Sequence, residues 1–221
     1  ALKMAGFLDD EGNAIEEIHN GRTGIAYGSC MGSMESMSVL VGVVDRADFT
    51  KLDSQTYIKC MPQTCAANLS IYYQVRGRLI ITDTACTSGS QAIGYSYEAI
   101  ADGRQDVMIA GGSDELNSAD GAIFDVMGAA STRNSSPETT PSPWDKNRDG
   151  LVIGEGAGTL VLEDLEHAMK RGAKIYAEVA GFGTNMDGTH ITRPNSDTQA
   201  VSLELALKDA GISPEKISYI N

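Results

Sequence analysis

Two kinds of hydrophobic pattern alternate along the chain. Short apolar runs ending in small residues occur at Arg22–Ser29 (RTGIAYGS) and Asp106–Gly112 (DVMIAGG). A β-branched run, Leu79–Thr82, leads into the small residues 84–90. These predict strands, with Leu79–Thr82 buried. Thr159–Glu163 and Lys174–Gly181 predict two more, and Ile217–Ile220 the start of a last one. Between them lie helical patterns. Pro62–Gln74 carries Ala66, Leu69, Tyr72 and Tyr73 near helical spacing, with Gly77 as its stop. The segment after Ser90 places Ile93, Tyr97 and Ile100 at i, i+4 and i+7 until Asp102-Gly103 closes it. Leu165–Arg171 and Thr198–Ala210 end at Gly172 and Gly211. Strand, helix, strand at this spacing predicts an α/β chain built on a mostly parallel sheet. The Ser/Thr/Pro/Asn-rich residues Thr132–Pro143 predict an exposed loop.

Composition narrows this. A chain of 221 residues can bury a core without staples, and 24 glycines exceed the usual share of about 7%, which points to tight turns and close backbone approaches. The net charge of −13 excludes a phosphate-backbone binder, so no nucleic-acid partner is expected. Neither a membrane-spanning run nor a signal-peptide pattern appears, which predicts a cytoplasmic chain without a membrane partner. Cys30, Cys60, Cys65 and Cys86 show no zinc-knuckle spacing and read as free thiols.

Cys86 is the sharpest chemical candidate. It stands at a strand-to-helix turn among small residues, where free helix N–H groups favour a thiolate. That setting resembles a nucleophile elbow without the GxSxG spelling. Against this, cysteine is among the most buried residue types, so local sequence alone leaves nucleophile and small core residue evenly matched. The three histidines supply no assignable base: His19 lies in a polar stretch, His167 reads as a solvated residue on a charged helix, and His190 as a surface residue on a loop. Asp145–Gly150 spells D-x-N-x-D-G, but the twelfth position of a calcium loop is Gly156, so Asp145, Arg148 and Asp149 are read as bracing a loop. Gly154–Gly158 leads into a strand, unlike a phosphate cradle. The methionines of Met31–Met37 read as core filler, although methionine also suits a flexible acyl channel.

Four blocks in order carry a resemblance. Thr84-Ala85-Cys86-Thr87-Ser88-Gly89 resembles the active-site cysteine motif of the elongating β-ketoacyl-acyl carrier protein synthases. Phe124–Asn134 is similar to a further family block, as is Pro143-Trp144-Asp145 with Arg148–Gly150 and Gly154–Gly158. Glu166-His167-Ala168 with Arg171–Glu178 makes the fourth. The resemblance implies a thiolase-like layered α/β fold with mixed, mostly parallel sheets, incomplete here. Residues 1–172 would be most of the N-terminal half and 173–221 the start of the C-terminal half. It implies a homodimer, with the strand feeding Cys86 at its interface, and acyl carrier protein as partner in its acyl and malonyl forms. Cys86 would hold an acyl thioester, and its own N–H would be one oxyanion donor. Met31 would be the gate and Phe124 a wall of the acyl channel, with Asp187 structural. No cofactor and no metal are implied.

The family's catalytic histidines and lysine correspond to positions beyond Asn221, so these 221 residues alone are not expected to condense malonate. Two other readings stand beside the synthase: a coenzyme-A-dependent thiolase-like enzyme, and a non-catalytic half-molecule serving as a dimerisation or interaction subunit.

Overall fold

The computed structural model describes all 221 residues, Ala1–Asn221. Two short helices, α1 (Leu2–Ala5) and α2 (Glu16–His19), precede strand β1 (Thr23–Gly28). Helices α3 (Met34–Arg46), α4 (Thr56–Lys59) and α5 (Thr64–Tyr73) lead to β2 (Leu79–Thr82). Then follow α6 (Ser88–Ala101), β3 (Val107–Asp114), α7 (Ser118–Val126), β4 (Gly156–Glu163), α8 (Leu165–Lys170) and α9 (Ser196–Ala210). The sheet runs β2-β1-β3-β4; β1 is parallel to both β2 and β3, and β4 closes antiparallel on β3. This is the mixed, mostly parallel α/β sheet that the alternating pattern predicts.

Side-chain size decides how the layers stack. On β1, Thr23, Ile25 and Tyr27 point to one face, and Gly24, Ala26 and Gly28 to the other. Ile25 and Tyr27 join Phe7, Ile18, Val107 and Ile109 in the larger core. Each such buried side chain contributes about 1.5–3 kcal/mol. Ala26 meets Met108 and the α6 residues Ala92 and Ala99 in a second core. The buried stripe of α6 is therefore Ala92, Ser96 and Ala99, not Ile93, Tyr97 and Ile100, which are half-buried at its flanks. Small residues facing small residues let the helix lie close on the sheet.

Other expectations need correction. Leu79–Thr82 is the edge strand of the sheet, with Leu79 exposed and only Thr82 buried. Helix α5 ends on Gln74 in the left-handed region at φ 52, not on Gly77. Gly77 instead allows a close approach, because a Cβ there would stand 2.2 Å from the Thr23 carbonyl oxygen. Lys174–Gly181 and Ile217–Ile220 form no strand, since no ladder partner pairs their backbone groups. Helices α3 and α7 lie where no helix is predicted; Ser33 and Asn117 cap their N-termini.

Candidate functional site

Strands β1 and β2 end level, Gly28 opposite Thr82, while β3 passes Gly28 at Gly112 and runs on to Asp114. Sites in open α/β sheets form at such carboxyl ends. Cys30 and Met31 follow β1, Cys86 follows β2, and Asp114 ends β3, with Glu115 next on the way to α7 and Phe124. The sequence candidates thus emerge from one edge of the sheet.

The turn carrying Cys86 is held from several directions. Ala85 stands at φ 52, a left-handed conformation that costs a non-glycine residue about 1–2 kcal/mol. Ser88 offsets this: its Oγ donates to the Ala85 carbonyl at 2.6 Å and accepts from the Thr84 N–H at 2.9 Å. The buried Thr82 hydroxyl donates to the Ser88 carbonyl at 2.8 Å, tying helix to strand. Gly28 makes room, because a Cβ there would stand 2.6 Å from the Ser88 carbonyl carbon. The result is a strand–turn–helix elbow with Cys86 exposed on it. The N–H of Cys86, like those of Gly89 and Ser90 in the first turn of α6, donates to no protein group. A thiol set beside unpaired donors can attack a carbonyl and hold the oxygen on which charge develops.

The other thiols differ. Burial pushes the Cys30 thiol up, and charge on Asp114, Cys86, Asp83 and Asp120 adds to it. Burial also pushes Cys60 up. Cys65 shares a hydrogen bond with the Ser113 hydroxyl at 3.2 Å. Met31 and Phe124 are half-buried and belong to neither core cluster. A groove of about 540 Å³ opens beside this edge between Lys59, Met61, Cys65, Asp114 and Glu155; Cys86, Met31 and Phe124 do not line it.

Residues 2–168 match the family model described as Beta-ketoacyl synthase, N-terminal domain, and residues 176–221 match Beta-ketoacyl synthase, C-terminal domain. The chain belongs to the β-ketoacyl synthase family. Among its relatives, a 3-oxoacyl-[acyl-carrier-protein] synthase 2 of Vibrio cholerae is 42% identical, the match covering 97% of this chain and 52% of the relative. A crystal structure of a β-ketoacyl synthase from Burkholderia phymatum superposes with TM-score 0.94 at 48% identity, over 99% of this chain and 52% of that one. A type II polyketide ketosynthase, solved with its acyl-carrier protein and bound to the hexaketide, superposes with TM-score 0.85 at 32% identity, over 93% of this chain and 53% of that one. This family member therefore spans about half the length of the relatives it matches, and its fold is the layered α/β fold of those ketosynthases.

One side chain sits otherwise than the sequence suggests. His167 is not a solvated surface group: its Nδ1 lies 2.6 Å from Glu163 Oε1, and Arg171 grips the same carboxylate through two nitrogens at 2.6 and 2.5 Å. Asp149 accepts from Ser131 Oγ and the Thr132 N–H and pairs in charge with Arg133, whose Nε lies 3.2 Å from Oδ1, so Arg133 joins the predicted loop brace. Asp187 accepts from the Thr189 hydroxyl and from the Asn195 N–H at 2.7 Å, a loop-holding arrangement. No group of three or more His, Cys, Asp or Glu stands where it could hold a metal ion. No helix is long and apolar enough to cross a membrane. Sequence reading missed Ser88, whose hydroxyl braces the elbow, and Asp114, which grips the turn after β1. Its signal was a carboxylate directly following the strand-ending Gly111-Gly112-Ser113.

Proposed function

We propose that Cys86 accepts an acyl group from an acyl carrier protein as a thioester, in a protein acting as a 3-oxoacyl-[acyl-carrier-protein] synthase. The thiolate attacks the donor carbonyl, the oxyanion is met by the N–H of Cys86, and the carrier thiol leaves with a proton. Malonyl-carrier protein then loses carbon dioxide, its carbanion attacks the Cys86 thioester, and the thiolate is released as the carbon–carbon bond forms. The observation that carries this reading is the exposed Cys86 on its elbow, with its own N–H unpaired.

Met31 and Phe124 are proposed to line the acyl path; both are half-buried beyond the ends of adjacent parallel strands. A homodimer pairing along the free edge of β2 is favoured by that open edge. The boundary near residue 172 is supported by family matches that end at 168 and resume at 176. Four free thiols suit a cytoplasmic setting.

The test is acyl transfer from acyl-carrier protein, read by intact mass and peptide mapping. The expected adduct sits on Cys86 and disappears in Cys86→Ala. An adduct on Cys30, Cys60 or Cys65, or one that survives the substitution, would overturn the reading. Coenzyme A thioesters loading faster than carrier thioesters would select the thiolase-like alternative.

A further inference from the structure

We propose that Asp114 is a positioning residue that fixes the turn bearing Met31 and thereby sets which acyl lengths reach Cys86. The acyl-length part rests on the reading of Cys86 and Met31 given above. One oxygen does the holding: Asp114 Oδ1 accepts from the Cys30 N–H at 2.8 Å and from the Ser29 hydroxyl at 3.1 Å. Ser29 is buried, and its Oγ in turn accepts from the Gly32 N–H at 3.2 Å. Both neighbours of Met31 are thus tied to a single carboxylate, one directly and one through Ser29. Met31 itself, the only large side chain in residues 29–33, keeps an unpaired N–H between them.

The surroundings leave the turn little freedom once that carboxylate is in place. Gly32 adopts φ 67 against the Cys60 carbonyl, where a Cβ would stand 2.6 Å from its oxygen. The Ser33 N–H donates to the Lys59 carbonyl at 2.9 Å. Glu115 Oε1 takes the Met34 N–H at 2.7 Å, so the next carboxylate holds the first turn of α3. Asp114 is itself anchored as the last residue of β3, opposite Gly156 of β4. A carboxylate seated on a paired strand can hold a side chain two residues along a turn to the tolerance that a specificity site needs. Removing it frees the Cys30–Gly32 segment to widen around Met31, which admits longer acyl groups.

The substitutions Asp114→Ala and Asp114→Asn separate geometry from charge, because an asparagine oxygen can still accept both hydrogen bonds. The full chain is incubated with carrier proteins bearing a short and a long saturated acyl group, and the ratio of the two adducts at Cys86 is read by mass. Asp114→Ala is expected to raise the long-to-short ratio by roughly tenfold, the scale of a small change in an apolar pocket. Asp114→Asn should stay close to the parent chain. Hydrogen exchange at the Cys30 and Gly32 amides gives a readout independent of acylation, expected to quicken by roughly tenfold or more in Asp114→Ala alone. Ser29→Ala, which keeps the direct Cys30 bond, should shift both readouts the same way by less, and it serves if Asp114→Ala does not fold. An unchanged ratio in the alanine variants, or an asparagine variant shifted as far as alanine, would overturn the proposal. If the parent chain takes no acyl group, the reading of Cys86 fails, and unchanged exchange at the two amides then overturns the positioning role separately.

Discussion

All 26 buried residues lie between Leu2 and Ala168, whereas Met169–Asn221 buries none. Both regions hold similar sequence material. Ile175, Ala177 and Val179 alternate as Ile25 and Tyr27 do, yet only the latter belong to a strand. Helix α9 forms in the unburied region all the same, from Asn195, whose side chain accepts the Asp197 N–H, to Gly211 at φ 64. The contrast shows which structure is locally specified. A helix closes its hydrogen bonds within itself, so caps and the contact with residues 181–185 suffice for α9, while a strand exists only where another strand receives its backbone groups.

The sharpest way to break the contrast is to make the well-packed region fail at one atom. Gly28→Ala sets a Cβ 2.6 to 2.8 Å from the carbonyl carbon, Cβ and carbonyl oxygen of Ser88, none of which a side-chain rotation can move aside. Overpacking of this kind costs about 3 kcal/mol. Chemical denaturation should show that loss, and acyl transfer to Cys86 should fall by about 100-fold, since a misplacement of about 1 Å has that scale. A matching Gly188→Ala, at φ 71 with open space around it, should cost only about 1 kcal/mol and leave transfer intact. Equal losses from the two would show that packing at the elbow is not what separates the regions.

The elbow was legible because its chemistry is written locally: a β-branched strand, then six small residues around Cys86, then a helix. The ladder of β1, β2 and β3 was legible for the same reason. What the sequence hid depends on neighbours that no local pattern names. The burial expected for Leu79–Thr82 failed because β2 has a partner on one side only. The α6 face was misjudged because large residues draw attention, while Ala92 and Ala99 fit the glycine-and-alanine face of β1. Helix α3 was masked by Val39, Val41, Val43 and Val44, β-branched residues that lower helix propensity. Asp114 grips Ser29 and Cys30 from 85 and 84 positions away, a pairing only the sheet creates.

A medium effect is expected where β4 hands over to the unburied region. Desolvation is the largest influence on Glu163 and pushes its carboxyl up, but hydrogen bonds and charge from Arg171 and His167 outweigh it and hold it below the ordinary 4.5. A carboxyl lowered in this way contributes stability above its unfolded value and loses that contribution as pH falls through the folded one. Denaturation midpoints should therefore drop below about pH 4.5, and Glu163→Gln should flatten that drop. At neutral pH the same substitution should cost about 2 kcal/mol, as it leaves the part-buried Arg171 without its charged partner. A variant with the parent's full acid sensitivity would assign the effect to other carboxylates.

The smallest effect should come where the two regions touch. On α6, a Cβ at Gly94 would stand 2.2 to 2.3 Å from the Phe182 ring, which also meets Tyr95 edge-on with centroids 5.8 Å apart. The obstacle here is the end of a side chain rather than backbone, so the ring can swing away. Gly94→Ala should then cost about 1 kcal/mol, the scale of losing one aromatic contact while gaining helix propensity. Its signature should be regional: amide exchange should quicken at Phe182, whose N–H donates to Asp209 at 2.9 Å, and at Gly183 against α9, while Ile25 and Ile109 keep their protection. Loss of protection in β1 and β3 as well would mean that the Phe182 contact supports the sheet, and that the segment without buried residues contributes to the stability of the elbow.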